Sequence, residues 1–180
     1  MTVTSDAPTA VRTGRTVWLT GLPSAGKSTL ARLLAERLRA AGRPVEVLDG
    51  DEVRAELSAE LGFTRADRDA HVRRIGYLAD LLSRNGVTVI CPVIAPYRET
   101  RDQVRARHGE RFVEVWVSTP VDECARRDVK GLYARQRAGE ITGLTGVDDP
   151  YEAPLSPEVE IPAHELGLDE SIDRLWAALA

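Results

Sequence analysis

Gly21, Gly26, Lys27 and Ser28 have the types and spacing needed to hold a nucleoside triphosphate. They sit in GLPSAGKST at 21–29, which fits G-x-x-x-x-G-K-[ST], a turn whose glycines let the backbone wrap a phosphate with successive N–H groups pointing inward. In such a loop Lys27 reaches the β and γ phosphates and Ser28 offers a hydroxyl to Mg²⁺. The positive end of the following helix adds its partial charge at the same place. Gly21, Leu22, Pro23, Ser24, Ala25, Gly26, Lys27, Ser28 and Thr29 are therefore the candidate ATP-binding residues, with ATP and Mg²⁺ as the ligands. The bland alternative is a glycine-rich turn that matches by chance; the strand before it and the helix after it argue against that.

A second candidate is Asp49-Gly50-Asp51. Two carboxylates at a strand end suit phosphoryl transfer, one holding Mg²⁺ through its waters and the other accepting the proton of an attacking hydroxyl. The same residues also read as an Asp-Gly turn with a helix N-cap, and the two roles are compatible. A third candidate is the basic stretch Arg126, Arg127, Lys130, Arg135 and Arg137, which runs into Gly139-Glu140 and Gly143-Leu144-Thr145-Gly146. Cations on a glycine-punctuated segment suit a lid that closes over a transferring phosphoryl group, although such runs are also common as solvated helix faces.

The elements that must position these residues are legible as an alternation. A β-branched run at 16–20 precedes the phosphate loop, and Leu30, Leu33, Leu34 and Leu38 give helical spacing over 27–41. A strand at 45–48 leads into the acidic turn. A helix over about 66–84 precedes a strand at 87–93, whose lack of alternation suits a buried parallel strand. A helix at about 99–108, a strand at 112–117, a crossover at about 121–128 and a closing helix at 168–179 complete the pattern. This predicts an α/β fold of three layers, an open, mostly parallel sheet with helices on both faces, and ligands at the carboxyl ends of the strands. Residues 1–14, rich in Thr, Ser, Ala and Pro, read as a disordered arm, leaving one domain over 15–180.

Composition sets outer limits. The net charge of −4 is spread over charges of both signs, so no global basic field points to nucleic acid or an anionic membrane. The first fifteen residues lack a continuous apolar core and the longest apolar stretch, 87–96, is about half a membrane span, so a cytoplasmic protein is expected. Cys91 and Cys124 lack ligand spacing and read as buried thiols without a disulfide.

Together these segments resemble the adenylylsulfate kinase family, which phosphorylates the 3′-hydroxyl of adenosine 5′-phosphosulfate (APS) to give PAPS. The resemblance spans most of the chain. It rests on GLPSAGKST at 21–29, LDGDEVR at 48–54, LGFTRADR at 61–68, VRRI at 72–75, IAPY at 94–97 and RDVKGLYARQRAGEITGLTGVDDPYEAP at 127–154. The last block is the most diagnostic, because phosphate loops are shared by many unrelated enzymes. The resemblance implies APS contacts at Asp51, Glu52, Val53, Arg54, Phe63, Arg68, His71, Ile94, Ala95, Lys130, Gly143 and Leu144, and Arg127 beside the adenine of ATP. Phe63 would stack on the substrate adenine and Arg54 with Arg68 would grip the phosphosulfate. Asp51 and Asp49, with Lys27 and Lys130, are the implied catalytic groups.

The chain departs from the family pattern at Glu52, where Asn is usual, and at Ala70-His71, where Glu-Asn is usual. Leu144 replaces an aromatic residue, which makes the adenine stack one-sided, and Ala95 replaces a serine once proposed to carry phosphate, which leaves direct transfer from ATP. The changes at Glu52, His71 and Leu144 favour one rival, a kinase for another small hydroxyl substrate; a second, a decayed nucleotide-binding regulator, has against it the presence of Lys27, Ser28, Asp49, Asp51 and Lys130. A chain of this length has no room for a fused sulfurylase; a separate ATP sulfurylase and a homodimer are compatible with it.

Overall fold

The computed structural model describes residues 14–179. The predicted arm therefore lies outside the described residues except at Gly14, which is buried and donates its N–H to the Ser83 carbonyl at 2.9 Å.

Five strands form one all-parallel sheet: β1 (Thr16–Thr20), β2 (Val45–Val47), β3 (Thr88–Pro92), β4 (Phe112–Val117) and β5 (Val159–Ile161), in the order β2-β3-β1-β4-β5. The central strand β1 pairs with β3 on one side and β4 on the other, Trp18 lying opposite both Cys91 and Glu114. Helices cover both faces, so β1 and β3 are buried at every position, which explains why their sequences show no alternation. On one face Val17, Leu19, Ile90, Val113 and Val115 pack with Leu30, Leu34 and Leu38 of helix α1 (Lys27–Ala40) and Leu175 of the closing helix. On the other, Trp18, Val89, Cys91 and Phe112 meet Val72, Ile75 and Ala79. Both cysteines are buried and free, as expected.

Helix α2 (Gly50–Leu57) begins at the acidic turn, and α3 (Arg65–Ser83) opens on a capping box in which Thr64 and Asp67 satisfy each other's backbone N–H. Next come α4 (Arg98–His108), α5 (Val121–Arg127), α6 (Leu132–Arg137) and α7 (Leu168–Ala177). One strand and one α-helix escaped the sequence reading. Strand β5 is three residues set among prolines, and α6 lies inside the basic run. Among the described residues no helix is long and apolar enough to cross a membrane.

Helices α3 and α4 approach closely at Gly76, where a methyl group would sit 2.7 Å from Cγ2 of Val104. Val104 is β-branched and buried, so it has no free rotamer to retreat into. Gly76→Ala should therefore cost about 1–3 kcal/mol in urea unfolding, despite the better helix propensity of alanine.

Candidate active site

The connection from β1 runs to the β2 edge while those from its neighbours β3 and β4 run the other way, so the carboxyl ends of β1, β3 and β4 enclose the crevice where ligands bind in open α/β sheets. The phosphate loop leaves β1 there. Gly26 caps α1 with φ 109°, a backbone conformation that glycine adopts without strain. Helix α1 has no side-chain cap and no acidic residue in its first turn, so its N-terminal N–H groups and positive pole remain available to an anion.

Most of the loop carbonyls are engaged. Lys27 Nζ donates to Gly21 O (2.8 Å) and Leu22 O (2.7 Å), and the Tyr133 hydroxyl donates to Pro23 O (3.0 Å). Thr119 Oγ1 donates to Ala25 O (2.9 Å), and Arg127 Nη1 reaches the same oxygen (3.4 Å). These bonds fix the loop. Tyr133 and Thr119 are residues that local sequence reading did not find, because their partners lie about a hundred residues away. Burial lowers the Lys27 pKa to about 7.

Ser28 Oγ donates to Asp49 Oδ2 at 2.9 Å, while Asp49 Oδ1 accepts the Asp51 N–H at 3.0 Å. Asp49 is thus the N-cap of α2, as the turn reading expected, and at once the link from that helix to the phosphate loop. A hydroxyl and a carboxylate on adjacent oxygens form the hard donor set that Mg²⁺ takes, with waters and phosphate oxygens completing it. The Asp51 side chain is exposed and forms an ion pair with Lys130, which stands in the turn between α5 and α6. Asp128 sets that turn. It adopts φ 30° and its carboxylate accepts the N–H groups of Tyr133 and Ala134 at the start of α6.

One helix therefore spans the crevice. Helix α2 touches the phosphate loop at its cap, presents Asp51 in its first turn, and at Arg54 lies over the Phe63 ring, 4.9 Å from its centroid. Arg54 donates to Gly62 O at 3.1 Å and has no carboxylate partner among the described residues; Phe63 is 69% exposed. An uncompensated guanidinium beside an open aromatic face fits an anionic, base-bearing ligand.

Other predicted contacts are placed differently. Arg68 does not offer a free fork: Nε donates to Phe63 O (2.8 Å), Nη2 to Gly143 O (2.6 Å) and Asp149 Oδ2 (2.8 Å), and Nη1 to Thr145 Oγ1. It ties α3 to the loop around 143–149 instead of standing ready for a phosphosulfate. His71 is also turned inward. Its Nε2 bonds the Gly50 carbonyl (3.0 Å), which can only accept, so Nδ1 accepts from Ser58 Oγ (3.1 Å). Leu144 is 6% exposed and belongs to the core, so the missing aromatic face is not replaced by leucine. Val53 and Ala95 are buried, Ile94 is half-buried, and Glu52 is exposed. Arg127 lies against the phosphate loop, its Nε on Glu123 Oε1 (2.8 Å) and Nη2 on Ala163 O (2.9 Å). A cavity of about 540 Å³ lies between Leu22 and residues 146–151.

Burial, with Arg54 nearby, lowers the His71 pKa to about 4. The unfolded chain takes up this proton near pH 6.5, so the stability contributed by neutral His71 is complete above that pH and lost as pH falls towards 4. Between pH 7 and 4.5 the wild type should lose on the order of 2 kcal/mol more unfolding free energy than His71→Gln, read by urea titration at both pH values.

A family model for adenylylsulphate kinase matches residues 13–162. An adenylyl-sulfate kinase from Picosynechococcus is 57% identical over 166 residues, spanning 92% of this chain and 93% of the relative. The structure of the Mycobacterium tuberculosis APS kinase CysC in complex with AMPPNP and APS aligns with a TM-score of 0.88 at 43% identity, over 93% of this chain and 98% of that one. A hexameric APS kinase from Thiobacillus denitrificans aligns with a TM-score of 0.70 at 41% identity, over 94% of this chain and 29% of that one.

Proposed function

The chain belongs to the adenylylsulphate kinase family, and from that premise we propose that it transfers the γ-phosphate of ATP to the 3′-hydroxyl of APS, giving PAPS and ADP. The observation that carries the reading is the span of α2, which puts Asp51 between the Ser28–Asp49 pair at the phosphate end and the Arg54–Phe63 pair at the acceptor end.

On this reading ATP lies along Gly21 to Thr29, with its phosphates on the N-terminus of α1 and its adenine beside the flat face of Arg127. Ser28 and Asp49 would hold Mg²⁺, which would offset the charge of the phosphate oxygens. Lys27 leaves the loop carbonyls for the phosphates. Lys130 leaves Asp51 for the transferring group, and Asp51, so freed, orients the acceptor hydroxyl and takes its proton. Arg54 and Phe63 bind the phosphosulfate and adenine of APS. Ala95 carries no hydroxyl to accept phosphate, so transfer is direct.

The rival in which another hydroxyl compound is the acceptor drew on Glu52, His71 and Leu144, of which Glu52 is exposed. The His71 and Leu144 side chains are engaged inside the protein, so their identities bear on packing more than on the choice of acceptor. Purified protein with ATP·Mg²⁺ in a coupled ADP assay should release ADP in a saturable response to APS. Stimulation by another small alcohol, but not by APS, would replace this reading with the rival. A cytoplasmic location, supply of APS by a separate ATP sulfurylase, and self-association belong to the same proposal; sedimentation of the purified chain tests the last.

A further inference from the structure

Ala95 holds φ 43°, a left-handed conformation that a residue with a Cβ keeps only where its surroundings enforce it. Bonded to its carbonyl is Arg101, 1% exposed, on α4. Its Nη1 donates to Ala95 O (2.6 Å), its Nη2 to Glu152 O (2.6 Å) and its Nε to Glu114 Oε1 (2.9 Å) on β4. Glu114 is 6% exposed and is held in turn by Arg105 Nη2 at 3.1 Å. The loop at 94–97 and the chain at 151–152 are further bound to each other. Glu152 N–H donates to Pro96 O (2.8 Å), Arg98 N–H donates to Glu152 Oε2 (2.8 Å), and Thr20 Oγ1, beside the Tyr151 hydroxyl (3.0 Å), donates to Ile94 O (2.6 Å).

A buried ion pair adds little net stability over apolar packing, because desolvation offsets the attraction. A rigid planar fork does, however, fix three acceptors in one geometry, which an ammonium on a flexible stem cannot do. Here the three acceptors come from the sheet, from the loop assigned to APS, and from the end of the segment that carries Lys130.

We propose that Arg101 is a positioning residue for the acceptor. Braced by Glu114, it holds Ile94 to Pro96 in register with Tyr151 and Glu152, and so sets the grip on APS while leaving the nucleotide end untouched. This rests on the reading of residues 94 and 95 as part of the APS site.

The test compares wild type, Arg101→Gln, Arg101→Lys and Glu114→Gln by APS KM, by ATP·Mg²⁺ Kd from calorimetry, and by unfolding midpoint. Arg101→Gln should raise the APS KM about ten-fold or more with ATP Kd within about two-fold, and Arg101→Lys should recover little of it. Glu114→Gln keeps the volume and one oxygen for Nε; it should raise the APS KM about three-fold. That variant decides the matter if the Arg101 variants do not fold. An unmoved APS KM in the folded variants, or APS KM and ATP Kd rising together, overturns the proposal. Wild-type protein that ignores APS sinks the assignment of the acceptor instead, so the two failures are distinct.

Discussion

Asp51→Asn should lower turnover by roughly 10² to 10⁴ while ATP binding stays within about two-fold of wild type, because the change removes a proton acceptor and little else. The amide has the same shape as the carboxylate. The start of α2 does not depend on this side chain, since the cap is made by Asp49 accepting the Asp51 backbone N–H. The lost ion pair with Lys130 is between exposed groups and contributes little to folding. Turnover by stopped-flow ADP release, beside calorimetry with ATP·Mg²⁺, separates the effects. Turnover within about three-fold of wild type would move the proton-accepting role to Asp49, whose oxygens are already engaged by Ser28 and the helix N-terminus.

The second large effect concerns Lys27. Its amine is buried and bonded to two carbonyls of its own loop, and its pKa is lowered to about 7, chiefly by burial. A triphosphate brought to the loop favours the ammonium, so ATP binding at pH 8 should take up close to one proton and at pH 6 almost none. Calorimetry in buffers of different ionisation enthalpy reads that number directly. Lys27→Met should abolish the uptake and lower turnover by about 10² to 10³, as the loss of one preorganised donor to developing charge does. Uptake unchanged in the variant would assign the proton to another group.

The phosphate end of the site was the most legible part of the sequence. Its chemistry is local: nine consecutive residues carry the loop, the lysine and the hydroxyl, and Leu30, Leu34 and Leu38 mark the helix that supplies the dipole. Asp49 and Asp51 were legible because a strand end and an Asp-Gly turn are both short-range signals. What the sequence hid depends on distant partners. Arg68 reads as a substrate-gripping cation, yet both of its terminal nitrogens are taken by residues 75 to 81 positions further along the chain. Arg101 drew no assignment from the sequence, and only the structure shows it buried against Glu114 and the Glu152 carbonyl. His71 changes meaning in the same way, from a substrate contact to a bridge between Gly50 and Ser58. Strand β5 was missed because three residues between prolines carry too little periodicity to register.

The most direct measurement follows the phosphate itself. With γ-labelled ATP, Mg²⁺ and APS, the account predicts that label appears on the 3′-oxygen of the adenosine product in a one-to-one ratio with ADP. Label recovered only as inorganic phosphate, or on another acceptor while APS is left unchanged, would contradict it.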